Sequence, residues 1–144
     1  MKTQTKEVYR CSTCGGVVEV LHPGAHMVCC GNPMTLLKGN VTDGAHEKHV
    51  PVVETVDDGI RVTIGAIEHP MQPDHFIEWV ELVTPTHVLR KEFKPGDKQR
   101  VTFSVHEPIL YARAYCNLHG LWKGYFQRGR LTAIEPPFPK PCLS

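Results

Sequence analysis

The chain has 144 residues, 41% hydrophobic and 22% charged, with a formal net charge of +1. Those values suit a globular protein made of one medium domain or of a small and a medium one, and the near-neutral balance excludes a nucleic-acid binder that relies on a basic stripe. No apolar run reaches the length of a transmembrane helix, and residues 1–10 (MKTQTKEVYR) are too polar for a secretory signal, so the expected address is the cytoplasm, with no membrane partner.

In chain order, the first segment holds two short strand-like runs, Glu7–Arg10 and Val17–Leu21, separated by Cys14-Gly15-Gly16. The turn His22-Pro23-Gly24 then leads to Met27-Val28 and Cys29-Cys30-Gly31. A unit of residues 1–38 is too small to bury enough apolar surface by itself, and a bound metal would supply the missing stability. Residues 39–44 (GNVTDG) read as a linker. Beyond it, strand-like runs recur at Val50–Val56, Ile60–Ile67, Phe76–Val83, Val88–Phe93, Arg100–Val105, Ile109–Tyr115 and Leu121–Phe126. Turn residues such as Asp57-Asp58-Gly59 and Lys94-Pro95-Gly96-Asp97 separate them. No segment shows a sustained 3.6-residue period. The expected fold is therefore mainly β, with residues 39–126 forming an antiparallel immunoglobulin-like sandwich. Residues 127–144 are expected to be a proline-rich extension; proline at the density of Pro136-Pro137-Phe138-Pro139-Lys140-Pro141 favours an extended tail without a fixed fold. Cys142 in that tail reads as a spare surface thiol.

Two sets of soft ligands lie along this framework. The first is Cys11-x-x-Cys14 with the consecutive pair Cys29-Cys30. In a reducing compartment such clusters point to metal rather than disulfides. Four thiolates close a tetrahedral site with no vacancy, and spacing alone leaves zinc and iron equally open. Neighbouring side chains diverge in extended backbone, so the Cys29-Cys30 pair is expected to open the angle between its two sulfurs and distort the tetrahedron.

The second set is His49, then His69 and His75, then Cys116-Asn117-Leu118-His119. Each group falls at a strand end or in a loop, where side chains of separated strands meet at one end of a sandwich. His22, His26, His46, His87 and His106 read instead as ordinary surface residues. Four imidazoles and one thiolate exceed a tetrahedron and fall one short of an octahedron. That argues against structural zinc and for a centre that keeps a position free. By spacing alone, Glu47 and Lys48 are an exposed loop pair, and Trp79 and Trp122 are core or rim packing.

Cys11-x-x-Cys14 followed by Cys29-Cys30-Gly31 resembles desulforedoxin, which holds one iron in a distorted FeS4 centre. Across residues 7–122 the motifs Glu47-Lys48-His49-Val50-Pro51, His69-Pro70-Met71, Ile77-Glu78-Trp79 and Cys116-Asn117-Leu118-His119-Gly120-Leu121-Trp122-Lys123 resemble the desulfoferrodoxin family of two-iron superoxide reductases. The resemblance implies two iron ions per chain. One would sit on Cys11, Cys14, Cys29 and Cys30; the other on His49, His69, His75 and His119 in a plane with Cys116 axial. It assigns catalytic roles to Glu47, which binds the oxidised metal, and to Lys48. It further implies one-electron reduction of superoxide to hydrogen peroxide, a rubredoxin-like or other small electron donor, and a homodimer. The contrasting expectation is a two-centre iron electron-transfer protein without superoxide turnover. The segment beyond Lys123 has no counterpart in the resemblance.

Overall fold

The computed structural model describes residues 2–24, 26–39, 50–64, 70–127 and 130–132. These residues divide into two compact units, one within Met1–Lys38 and one within Gly39–Lys140. Among the described residues there is no helix, hence none long and apolar enough to cross a membrane.

In the first unit, β1 (Val8–Arg10) lies between β2 (Val17–Glu19) and β5 (Thr35–Leu37) in an antiparallel sheet. A separate hairpin joins β3 (Val28–Cys29) to β4 (Asn32–Pro33). Its interior is small: Val8, Tyr9, Cys11 and Val20 are the buried hydrophobic residues, whereas Leu21 and Val28 are 84% and 62% exposed. That scarcity of core agrees with a unit that needs a metal to hold it.

The second unit is built from β6 (Pro51–Val56), β7 (Gly59–Ile64), β8 (Ile77–Val83), β9 (Val88–Glu92), β10 (Arg100–Phe103), β11 (Tyr111–Cys116), β12 (Gly120–Gln127) and β13 (Arg130–Thr132). Hydrogen bonding runs in the order β10-β7-β6-β13-β12-β11-β8-β9, and every pairing is antiparallel. β12 turns this order into a sandwich. Its residues 120–124 pair with β11, and its residues 125–127 pair with β13, so the strand passes from one layer to the other. Between the layers lie Val53, Ile60, Val62 and Ile64 from one side and Ile77, Val80, Leu82, Ala112, Ala114 and Cys116 from the other. Alternation within β7, β8 and β11 directs these side chains inward. The fold is thus mainly β, with a cysteine-rich first unit and an antiparallel immunoglobulin-like sandwich, as the sequence led us to expect.

One difference concerns the chain after residue 126. Arg130–Thr132, assigned from sequence to an unstructured extension, forms a strand that bridges β12 and β6. The apolar–polar pattern there is too short to be read as a strand; its strand character comes from pairing with β12 on one side and β6 on the other. Cys142 and the proline cluster lie outside the described residues.

Candidate metal centres

The first donor set grows from two tight turns. After β1 the backbone folds back, with Gly15 N donating to Cys11 O (2.9 Å) and Cys11 N to Gly16 O (2.8 Å). Gly15 occupies the left-handed region at φ 81°, which a side chain would resist. The fold aims amide groups at sulfur: Cys14 N at Cys11 Sγ and Gly16 N at Cys14 Sγ, each at 3.4 Å. The second turn joins β3 to β4 through Cys30 and Gly31, both at positive φ (53° and 76°), as a two-residue type I′ hairpin requires.

That turn corrects the expected splay of Cys29 and Cys30. Cys30 is left-handed rather than extended, so its side chain swings to the same side as that of Cys29, and the two Sγ atoms are 3.9 Å apart. Cys14 Sγ lies 3.6 Å from Cys29 Sγ, and all four sulfurs fall within 4.8 Å of one another. A metal with metal–sulfur bonds of about 2.3 Å has tetrahedral sulfur–sulfur edges of about 3.8 Å. The sulfurs therefore fit one tetrahedral ion.

Crowding of the sulfurs spreads their proton affinities. The Cys14 amide, ahead of smaller hydrogen-bonding causes, lowers the Cys11 thiol to about 6, against the opposing effect of burial. Hydrogen bonds to Cys11, Cys14 and Cys30 push Cys29 up to about 12. Four sulfurs this close cannot all shed their protons unless a positive charge sits among them.

The second donor set forms at one end of the sandwich. Cys116 closes β11, and the register between β11 and β8 shifts there: Tyr115 faces Trp79, while Cys116 faces Ile77. Glu78 is the extra residue of this bulge, a device that re-aims side chains at the end of a ladder. Cys116 is fully buried. Burial chiefly raises its thiol; amide donors from Leu118 and His119 act against that, and the Glu78 charge adds to it. The turn to β12 carries His119 round so that its Nδ1 lies 3.7 Å from Cys116 Sγ.

His75 arrives from the other side. Gln72 and His75 exchange backbone hydrogen bonds of 2.9 and 3.0 Å, closing a tight loop around Pro73-Asp74. The His75 and His119 rings meet edge to face at 4.9 Å. The donor atoms of His75, Cys116 and His119 lie within 4.8 Å of one another. A separation of 3.7 Å between sulfur and nitrogen is spanned by one ion at about 2.3 Å from the first and about 2.1 Å from the second. The mixture of imidazole and buried thiolate suits a transition metal such as iron. Glu47, Lys48, His49 and His69 lie outside the described residues. Trp79 stacks on Tyr115 (5.8 Å, 13° between planes), and Trp122 is buried, in keeping with packing roles.

Sequence reasoning missed Asn117. Its Nδ2 donates to Asp74 O, its Oδ1 accepts from Phe76 N, and its own N donates to Phe76 O. Asparagine between two candidate ligands reads as turn chemistry, and nothing in the sequence says that its partners lie more than forty positions away. The bulge at Glu78 was equally invisible, because it exists only in the pairing of two strands.

The comparisons with known proteins agree with this geometry. The family described as "Desulfoferrodoxin" matches residues 41–125, and that described as "Desulfoferrodoxin, N-terminal domain" matches residues 3–37. A desulfoferrodoxin of Syntrophotalea carbinolica is 52% identical over 81% of this chain and 93% of its own. One from Nitratidesulfovibrio vulgaris is 50% identical over 81% and 94%. The crystal structure of the superoxide reductase from Treponema pallidum superposes with a TM-score of 0.67 at 32% identity, covering 82% of this chain and 95% of that one. With the segments that carry both donor sets matched in chain order, the chain belongs to the desulfoferrodoxin family.

Proposed function

We propose that the chain is a superoxide reductase, which takes superoxide, one electron and two protons to hydrogen peroxide. The observation that carries this reading is the convergence of His75, Cys116 and His119 donor atoms within 4.8 Å at the end of a buried strand. The likeness to the superoxide reductase of Treponema pallidum supports it. In this proposal His49 and His69 complete the set, and each chain carries two iron ions, one on it and one on Cys11, Cys14, Cys29 and Cys30. Iron held by the second set would supply the electron and a Lewis acid for the anion.

The protein's own residues then have separate tasks. Cys116 provides a thiolate whose donation is tempered by the Leu118 and His119 amides that already point at its sulfur. Burial keeps water away from that sulfur. Lys48 attracts the incoming anion and orders a proton-donating water. With a formal net charge of +1 the chain as a whole exerts little long-range pull, so steering must be local. Glu47 would offer its carboxylate to the oxidised metal. A small rubredoxin-like protein returns the electron, the active form is a homodimer, and the reaction takes place in the cytoplasm.

Rapid mixing of the reduced iron-loaded protein with superoxide tests the proposal, with metal oxidation, peroxide and oxygen all followed. Prompt oxidation with peroxide and no released oxygen is the expected result. Oxygen released in step with peroxide would make the protein a dismutase. Absence of reaction would leave a two-centre electron carrier.

A further inference from the structure

We propose that Asn117 is a positioning residue for the second donor set, clamping the His75 segment to the Cys116–His119 turn so that all three donors meet at one point. The inference rests on the reading of that set as a metal site, and it concerns a residue that is not itself a ligand.

His75 needs such a clamp. It sits in a loop closed on itself by the Gln72–His75 pair, and the regular pairing of β8 with β11 ends at Ile77 and Cys116. The next step outward is made by Asn117. Its backbone N donates to Phe76 O at 3.2 Å. Its Oδ1 accepts from Phe76 N at 3.0 Å, and its Nδ2 donates to Asp74 O at 3.0 Å. One residue therefore grips the backbone on both sides of His75, while its chain neighbours at positions 116 and 119 supply the other two donors.

An asparagine in a turn ordinarily bonds its own backbone two residues on. Asn117 does otherwise: its carboxamide partners lie 41 and 43 positions away. The orientation of the amide is fixed by chemistry, since an N–H must meet oxygen and a carbonyl must meet NH2. The pattern also explains why this side chain and no other suffices. Aspartate has the reach and the acceptor but lacks the donor for Asp74 O. Serine and alanine lack the reach, and glutamine is a methylene too long. Partners of this outer kind are worth roughly ten- to a hundred-fold in metal affinity.

The test uses the full chain loaded with iron, in unsubstituted, Asn117→Ala and Asn117→Asp forms. Mössbauer spectra tell four-thiolate iron from imidazole–thiolate iron, so loss of each to a chelator is followed separately. Asn117→Ala should lose the second iron roughly ten- to a hundred-fold faster, with altered quadrupole splitting, and leave the four-thiolate iron as it was. Asn117→Asp, which preserves size and the Phe76 bond, should fall between. Hydrogen exchange at the Phe76 amide should rise in the alanine form alone. The proposal is overturned if the second iron leaves Asn117→Ala at the unsubstituted rate, or if both irons leave faster together. An unsubstituted protein that folds but takes no iron at the second set would instead sink the metal reading, before any substitution is made.

Discussion

Arg113 Nε donates to Glu81 Oε1 at 2.6 Å, and the two side chains are only 4% and 1% exposed. The pair lies directly across β8 and β11, on the sheet face opposite the core cluster. Arg90, opposite Glu81 on β9, bonds the other carboxylate oxygen at 2.9 Å and is 43% exposed. Removing one member of a buried pair leaves a desolvated charge uncompensated and costs about 3–5 kcal/mol. Glu81→Gln should therefore lower the urea midpoint of the second unit sharply. Arg90→Ala, which removes a guanidinium that is 43% exposed and leaves Glu81 paired with Arg113, should cost less. Equal effects would refute the division.

Lys123 faces Arg113 on β12 and lies over the Tyr111 ring, 4.5 Å from its centroid. The ring favours the charged amine, yet burial, with the Arg113 charge second, lowers it from 10.5 to about 8. Below about pH 8 the lysine is charged in both folded and unfolded chains, and the folded state bears the whole penalty. Between about 8 and 10.5 the unfolded chain binds more protons, so stability rises with pH. Lys123→Met should stabilise the protein at pH 7, and the gain should shrink as pH approaches 10. Urea midpoints of both forms at pH 7 and pH 9.5 measure it; a gain independent of pH would rule out the lysine charge as its origin.

Gly59 opens β7 at φ 142°, and a Cβ there would stand 2.0 Å from Phe103 O on β10. Backbone cannot yield as a flexible side chain does. Gly59→Ala should cost at least about 2 kcal/mol, read as a lower melting temperature. Gly31, whose Cβ would meet nothing within 4 Å, should lose less, through its positive φ alone.

Cys14→Ser should abolish the four-thiolate centre while the second centre keeps its iron. Because the first unit has so little core, it should then be cut by proteases within Lys6–Lys38 at concentrations that spare the unsubstituted chain. Unchanged superoxide turnover and re-reduction in this variant would give the first centre a structural role alone.

Lys48→Ala should slow the second-order reaction with superoxide, most at low ionic strength, without changing iron content. Stopped-flow rates at two salt concentrations measure it, and an unaltered rate at low salt would reject the steering role.

The donor character of the cysteine and histidine clusters, the all-strand fold and the position of most strands along the chain were legible in the sequence, because these follow from side-chain chemistry and from a two-residue period that each segment carries within itself. Cys11, Cys14, Cys29 and Cys30 declare a thiolate cluster by type and spacing. What local pattern could not hold were the features created by pairing distant segments. The bulge that sets Cys116, the strand Arg130–Thr132 and the reach of Asn117 to Asp74 and Phe76 belong to this class, whereas the left-handed turn at Cys30 is local but is not announced by a cysteine at that position. The charge on Glu81 belongs there too: its sequence neighbours give no sign that two arginines on adjacent strands will face it. Donor chemistry is a property of single residues, whereas donor geometry depends on register, and register is settled only when the strands meet.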